Sequence, residues 1–254
     1  MKKYEFTGET KRVELWNRTA TLHRIKATVE FGFVKVGELG GWIEKEENLS
    51  HEGKAWVWGN AEVCDDAEVC DDAKVWGNAE VWGNAKVCGD AKVCGDAKVC
   101  GDAEVWGNAK VWGNAEVCDD AKVWGNAEVC GDAKVCGDAE VCGDAEVWGN
   151  AEVCGDAKVC GDAEVCGDAE VCGDAEVFLA SHVLVMGSVG SRNDFTTFFR
   201  DKDNEITVKC GCFLGKIDKF LEKVTQTHGN NKYALVYRAA VEVAKLQIEL
   251  TERK

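Results

Sequence analysis

From Ala55 to Glu176 the chain repeats one pattern of apolar and polar positions every six residues, almost without variation: Ala, Lys or Glu, Val, Trp or Cys, Gly, Asn or Asp. Six is not a helical period, since neither 3.5 nor 3.6 divides it. The Ala-x-Val-x part alternates with a period of two, which is the strand signal. It puts Ala and Val on one side and Lys/Glu and Trp/Cys on the other. Gly followed by Asn or Asp tolerates the left-handed backbone of a tight corner. Each phrase therefore predicts a four-residue strand and a turn. Short parallel strands that turn the same way every six residues wind into a coil, and stacked coils make a solenoid.

The same residues carry a family resemblance. Val followed four residues later by a small residue, as in Val57 and Ala61 or Val63 and Ala67, resembles the hexapeptide-repeat signature. The stretch Gly40-Gly41-Trp42-Ile43, with Asn48-Leu49-Ser50 leading into the repeat, resembles the start of a group of bacterial and phage hexapeptide-repeat proteins often labelled transferases from their fold. The resemblance implies a mainly β chain forming a left-handed parallel β-helix of triangular section. Three hexads would make a coil of 18 residues, with Val and Ala filling the interior. Acyltransferases of this family use a His as general base and are commonly trimers. The resemblance speaks for the fold; activity has to be argued from a site.

An 18-residue coil places residues 18 apart in columns, at about 4.8 Å. One charged column reads Glu68, Lys86, Glu104, Lys122, Glu140, Lys158, Glu176, the alternation that stacked neighbours prefer. The Trp phrases from Trp58 to Trp148 all continue Gly-Asn, and the Cys phrases from Cys64 to Cys172 all continue Gly-Asp or Asp-Asp. Both Asn and Asp suit the corner, so this coupling points to duplication of two ready-made modules.

Three segments follow from where the pattern begins and fades. Residues 1–54 break the repeat with short strands and read as an N-terminal β cap, needed because a solenoid end exposes apolar edges and open strand hydrogen bonds. Residues 55–189 are assigned to the β-helix, since Val177, Val183 and Val189 keep the aliphatic position and Ser181 and Gly187 the small one. Residues 190–254 predict a small α+β domain. Phe195–Arg200 and Glu205–Phe213 read as a hairpin, and Ile217, Phe220, Leu221 and Val224 as one face of a helix. Gly229 ends that helix, and Asn230 or Asn231 caps the next.

A net charge of −16 argues against nucleic acid or an anionic membrane as partner. Met1-Lys2-Lys3 leads into no apolar run, and no stretch approaches 18 apolar residues, so a cytoplasmic protein is expected. There the 15 cysteines would stay reduced.

Candidate chemistry lies outside the prism. Cys100, Cys118, Cys136, Cys154 and Cys172 should stack on one outer face, with Asp102, Asp120, Asp138, Asp156 and Asp174 stacked beside them. Five carboxylates at strand spacing repel one another unless cations sit between them, and thiolate with carboxylate suits Zn²⁺ or another thiophilic metal. Against this, no His joins the ladder, and parallel side chains suit neither tetrahedral closure nor a disulfide without distortion. The bland reading is solvated turn Asp and inert Cys. Trp58 over Trp76 and Trp106 over Trp124 would form aromatic strips, a binding surface or simply contacts between coils. Of His23, His51, His182 and His228, none lies inside the pure repeat, and His182, on its last coils, is the catalytic candidate, against the plainer reading of an outward strand position. Cys210-Gly211-Cys212, with His228, could put two sulfurs on one strand face.

The leading reading is a non-enzymatic scaffold or binding protein, presenting an acidic Trp- and Cys-rich surface to an unknown protein or small ligand, alone or as a homo-oligomer. It needs no cofactor. The rivals are a metal-binding or metal-sequestering protein, with a divalent metal on the Cys/Asp columns, and a hexapeptide-class acyltransferase using His182.

Overall fold

The computed structural model describes residues 2–15 and 18–250. It is mainly β: a parallel solenoid with an antiparallel sheet and two helices at its C-terminal end. Each phrase contributes one short rung. Every rung pairs in parallel with the rung 18 residues away, as in Glu68↔Lys86, Val69↔Val87 and Lys122↔Glu140. Among the described residues, one face holds eight parallel strands and each of the other two holds seven. The repeated Val and Ala are almost completely buried and form one continuous core. Small side chains fill the prism because its section is narrow, and each buried Val contributes on the order of 2 kcal/mol by leaving water.

The corners explain the glycines. Gly77 has φ +80, and a Cβ there would stand 2.8 Å from the carbonyl oxygen of Gly95, one coil on. A left-handed backbone and a close neighbour both select glycine. Beside it runs a second ladder. Asn78 donates its amide to Asp96 at 3.0 Å, Asn84 to Asp102 at 2.7 Å, and Asn126 to Asp144 at 2.8 Å, each across one coil. Asn supplies the donor that two facing carboxylates lack. This gives a reason for Asn at some corners but none for the Trp in the same phrase.

The N-terminal end is closed by β1 (Tyr4–Glu14) and β2 (Thr19–Ala27), an antiparallel pair, and by β3 (Leu39–Ile43), which joins the solenoid through Ile43↔Val63. Tyr4 is buried and donates its hydroxyl to the carbonyls of Glu46 and Leu49, both at 2.9 Å, while Lys3 Nζ donates to the Ala55 carbonyl at 2.9 Å. These contacts satisfy acceptors that an open solenoid end would leave bare. Trp56 stands where the other phrases carry Lys or Glu, and the cap buries it against Phe31 and Tyr4.

The C-terminal end departs from the sequence reading in three ways. The last rung is Glu176–Leu179, and Val183–Val189 does not continue the coil. It pairs antiparallel with Asp194–Arg200 in a four-stranded sheet, because the short helical turn Ala180–His182 redirects the chain. Glu205–Phe213 is not one strand but two, Ile206–Cys210 and Phe213–Lys216, with Gly211 turning between them at φ +58. His182 does not point outward; it is buried at 6% exposure and its Nδ1 accepts the backbone N–H of Phe178 at 3.1 Å.

Strand alternation then fastens the end. Phe199 plugs the solenoid core while its neighbour Phe198 faces the opposite core, shared with α1 (Ile217–His228) and α2 (Lys232–Gln247). Gly229 closes α1 at φ +58, and the Asn231 side chain accepts from the N–H groups of Tyr233 and Ala234 to cap α2. No helix among the described residues is long and apolar enough to cross a membrane.

Two disulfides, Cys142–Cys160 and Cys154–Cys172, correct the expectation of wholly reduced cysteines. Parallel stacking does not prevent them. Their Cα atoms are 4.5 and 4.6 Å apart, inside the range of about 4.4–6.8 Å that disulfides span.

Candidate metal centre

The fourth position of each phrase ends a rung and faces out beside the corner, so its side chain meets the side chain 18 residues on. Three columns result. One carries Cys100, Cys118, Cys136, Cys154 and Cys172 without interruption, after Cys64 and Trp82. Another carries Cys70 and Cys88, then Trp106 and Trp124, then Cys142 and Cys160, then Phe178. The remaining column mixes Trp and Cys.

Three phrases break the rule that a glycine follows the fourth position. Cys64-Asp65-Asp66, Cys70-Asp71-Asp72 and Cys118-Asp119-Asp120 put an aspartate there, and it takes the left-handed conformation at φ 57, 56 and 60. Asp is among the few side chains that tolerate this backbone, at a cost of roughly 1–2 kcal/mol against glycine. Asp71 Oδ2 accepts from the N–H of Gly89 at 3.1 Å, and Asp119 Oδ2 from the N–H of Gly137 at 3.3 Å. Each carboxylate is thus turned back over the next coil, beside the thiols stacked there.

Two clusters follow. The sulfurs of Cys70 and Cys88 and a carboxylate oxygen of Asp71 all lie within 4.8 Å of one another, and so do those of Cys118, Cys136 and Asp119. The cysteines are half-buried and the aspartates exposed, so each cluster is reachable from solvent. Two thiols and one carboxylate on a rigid frame are a soft donor set with room for a further ligand.

The third phrase makes the contrast. One coil beyond Cys64 stands Trp82, not a second cysteine. There Asp65 Oδ2 makes the same return contact, accepting the Gly83 N–H at 3.3 Å, but its Oδ1 accepts from Arg18 Nε at 3.0 Å, and Arg18 also grips Glu44 through both terminal nitrogens at 2.5 and 2.6 Å. The same backbone feature serves an ion pair where no thiol pair is offered.

Protonation is uneven within the thiol stacks. The hydrogen bond from Cys70 holds Cys88 below the ordinary thiol value and raises Cys70. The bond from Cys118 likewise lowers Cys100 and raises Cys118. Burial pushes the Cys136 thiol up to about 11, with the charges of Cys118, Glu152 and Asp119 adding to it. A metal ion must displace these protons to bind.

The five cysteines expected to stack do so, but not as a uniform ladder. Cys154 and Cys172 are joined, Cys118 and Cys136 belong to a cluster, and Cys100 stacks on Cys118 through the Val99↔Val117 register. The carboxylates next to the thiols are Asp71 and Asp119 rather than Asp102, Asp120, Asp138, Asp156 and Asp174. Those five occupy the next corner position, where Asp102 accepts from Asn84 and Asp174 pairs with Lys202 at 2.5 Å. The signal that could have found the clusters is visible in the sequence: Asp-Asp where other Cys phrases read Gly-Asp.

Of the aromatic candidates, Trp106 and Trp124 meet edge to face, 5.3 Å apart. Trp58 stands in register with Trp76, meets Trp56 edge-on, and donates its indole N–H to Glu38 at 2.9 Å. Cys210 and Cys212 do not share a strand face, since Cys212 lies in the turn after Cys210. His228 contacts Ser191 Oγ at 3.2 Å. No protein-family description matches the chain, and no curated protein matches it at a significant level.

Proposed function

We propose that the solenoid is a metal-binding protein that takes up thiophilic divalent ions at Cys70/Asp71/Cys88 and Cys118/Asp119/Cys136. The observation that carries this reading is the pair of three-donor clusters, each built around an aspartate at a position where the backbone favours glycine. The closed ends and rung-to-rung pairing support it, because the donors sit on a frame that holds them in place before the ion arrives.

The test is titration of the reduced protein with Cd²⁺, followed by thiolate-to-metal charge-transfer absorption. Two ions per chain are expected, one for each cluster. Asp71→Asn with Asp119→Asn should weaken uptake about tenfold, about 1.4 kcal/mol per site, and Cys88→Ser with Cys136→Ser should abolish it. Uptake unchanged by the four substitutions would count against the reading.

A transferase reading rests on His182, which is buried and has one ring nitrogen occupied by the Phe178 N–H. A scaffold reading rests on the rigid surface alone. Both have less to support them than the clusters do.

A further inference from the structure

The five-cysteine column has a property that the two clusters do not use. Cys154 and Cys172 are bonded across one coil. On the next coil toward the N-terminus, Cys136 stacks on Cys154 by the same register, with Val135↔Val153 paired and the Cys136 N–H on the Val153 carbonyl at 2.9 Å. The sulfurs of Cys136 and Cys118 lie within 4.8 Å of one another, and Cys100 stacks on Cys118 by the same register, with Val99↔Val117 paired and the Cys100 N–H on the Val117 carbonyl at 2.9 Å. Three free thiols and then one disulfide therefore follow one another with no break over five coils. Exchange at sulfur requires the attacking thiolate to approach along the axis of the bond that breaks. A column along the solenoid axis sets attacking, central and leaving sulfurs in that order at every step.

We propose that this column is an intramolecular disulfide relay, which moves one disulfide between Cys154–Cys172 and Cys100–Cys118 by successive thiol–disulfide exchange. In the first step the Cys136 thiolate attacks Cys154 Sγ. The Cys136–Cys154 bond forms, the Cys154–Cys172 bond breaks, and Cys172 leaves as a thiolate that takes up the proton Cys136 gave up. Cys118 then attacks Cys136 and releases Cys154, and Cys100 attacks Cys118 and releases Cys136. Each step exchanges one S–S bond for another and one thiol for another, so no oxidant or reductant is consumed. The other disulfide has no such path. Cys142–Cys160 lies between Trp124 and Phe178 in its column, and it should stay where it is. Exchange runs through the thiolate, so the relay is followed at alkaline pH.

The relay is tested on the full chain, held without oxygen and with a chelator at alkaline pH, then quenched in acid at intervals. Free thiols are blocked and tryptic peptides mapped by mass spectrometry. Cleavage after the lysines separates Val99–Lys110, which carries Cys100, from Val111–Lys122, which carries Cys118, so a link between them is diagnostic. The expected result is growth of that link at the expense of Cys154–Cys172, at a rate independent of protein concentration. Cys136→Ser should stop it, and Cys142–Cys160 should persist in both proteins. A link that never leaves Cys154–Cys172 while the protein keeps its β-sheet circular dichroism would overturn the proposal. So would passage to Cys100–Cys118 in the Cys136→Ser protein, or a rate proportional to protein concentration.

Discussion

Asp119 reaches across one coil to Gly137, its Oδ2 accepting the Gly137 N–H at 3.3 Å, while the Cys118 sulfur lies 3.9 Å from the same oxygen. The aspartate holds a left-handed conformation to do this. Restoring glycine there separates a structural role from a functional one. Asp119→Gly removes backbone strain of roughly 1–2 kcal/mol and loses two long, exposed hydrogen bonds, from the Gly137 N–H and the Cys118 thiol, worth about 1 kcal/mol together. Thermal unfolding should show a midpoint equal to or above that of the unsubstituted protein, while Cd²⁺ uptake at that cluster falls. A clear loss of stability would mean that the aspartate is there for the fold.

Alkaline stability should report the buried thiol of Cys64. Burial pushes it from the ordinary value of 9.0 up to about 12. The folded state therefore keeps a proton that the unfolded chain loses first. The contribution is complete below pH 9 and is lost as pH rises toward 12, because the folded state binds more protons across that window. Urea unfolding of the protein and of Cys64→Ala, compared from neutral to alkaline pH, should show the protein losing stability relative to the variant above pH 9. Parallel pH curves would contradict this.

The Asn ladder yields an electrostatic expectation. Asn126 accepts from Asn108 at 3.0 Å and donates to Asp144 at 2.8 Å. Asn126→Asp removes the donor and faces two carboxylates across one coil. Stability should fall by about 0.5–1 kcal/mol at low salt, and the loss should shrink as salt screens the pair. Denaturant titrations at two ionic strengths check both parts.

Closure of the C-terminal end depends on Phe199, which is fully buried in the solenoid core. Phe199→Ala should cost about 3–5 kcal/mol. Hydrogen exchange should show the last rungs opening first, since each coil of a repeat protein leans mainly on its neighbours.

The regular part of the fold was legible because the repeat enforces it. Val and Ala alternate with outward residues on every rung, and Gly-Asn or Gly-Asp permits each corner, so the 18-residue register follows from the phrase itself. The ends were less legible. Val183 and Val189 keep the hexad spacing, yet the turn at Ala180–His182 sends their strand into an antiparallel sheet, and a period cannot register one redirecting turn. The thiol columns could be written down from the sequence, but not which carboxylates would meet them. Asp102 and its column partners sit one residue further round the corner than Asp71 and Asp119, and that single residue decides whether the carboxylate turns back over the thiols. The disulfides are not legible in the sequence, because parallel stacked side chains read as needing distortion to join. At a Cα separation near 4.5 Å, a rotation about the Cα–Cβ bonds brings the sulfurs together.

The most direct measurement for the metal reading is an anomalous difference map from crystals of the reduced protein grown with Cd²⁺. Peaks bounded by Cys70, Asp71 and Cys88 and by Cys118, Asp119 and Cys136 are the expected result. Cadmium bound only at other surface carboxylates, with both clusters empty, would contradict the account.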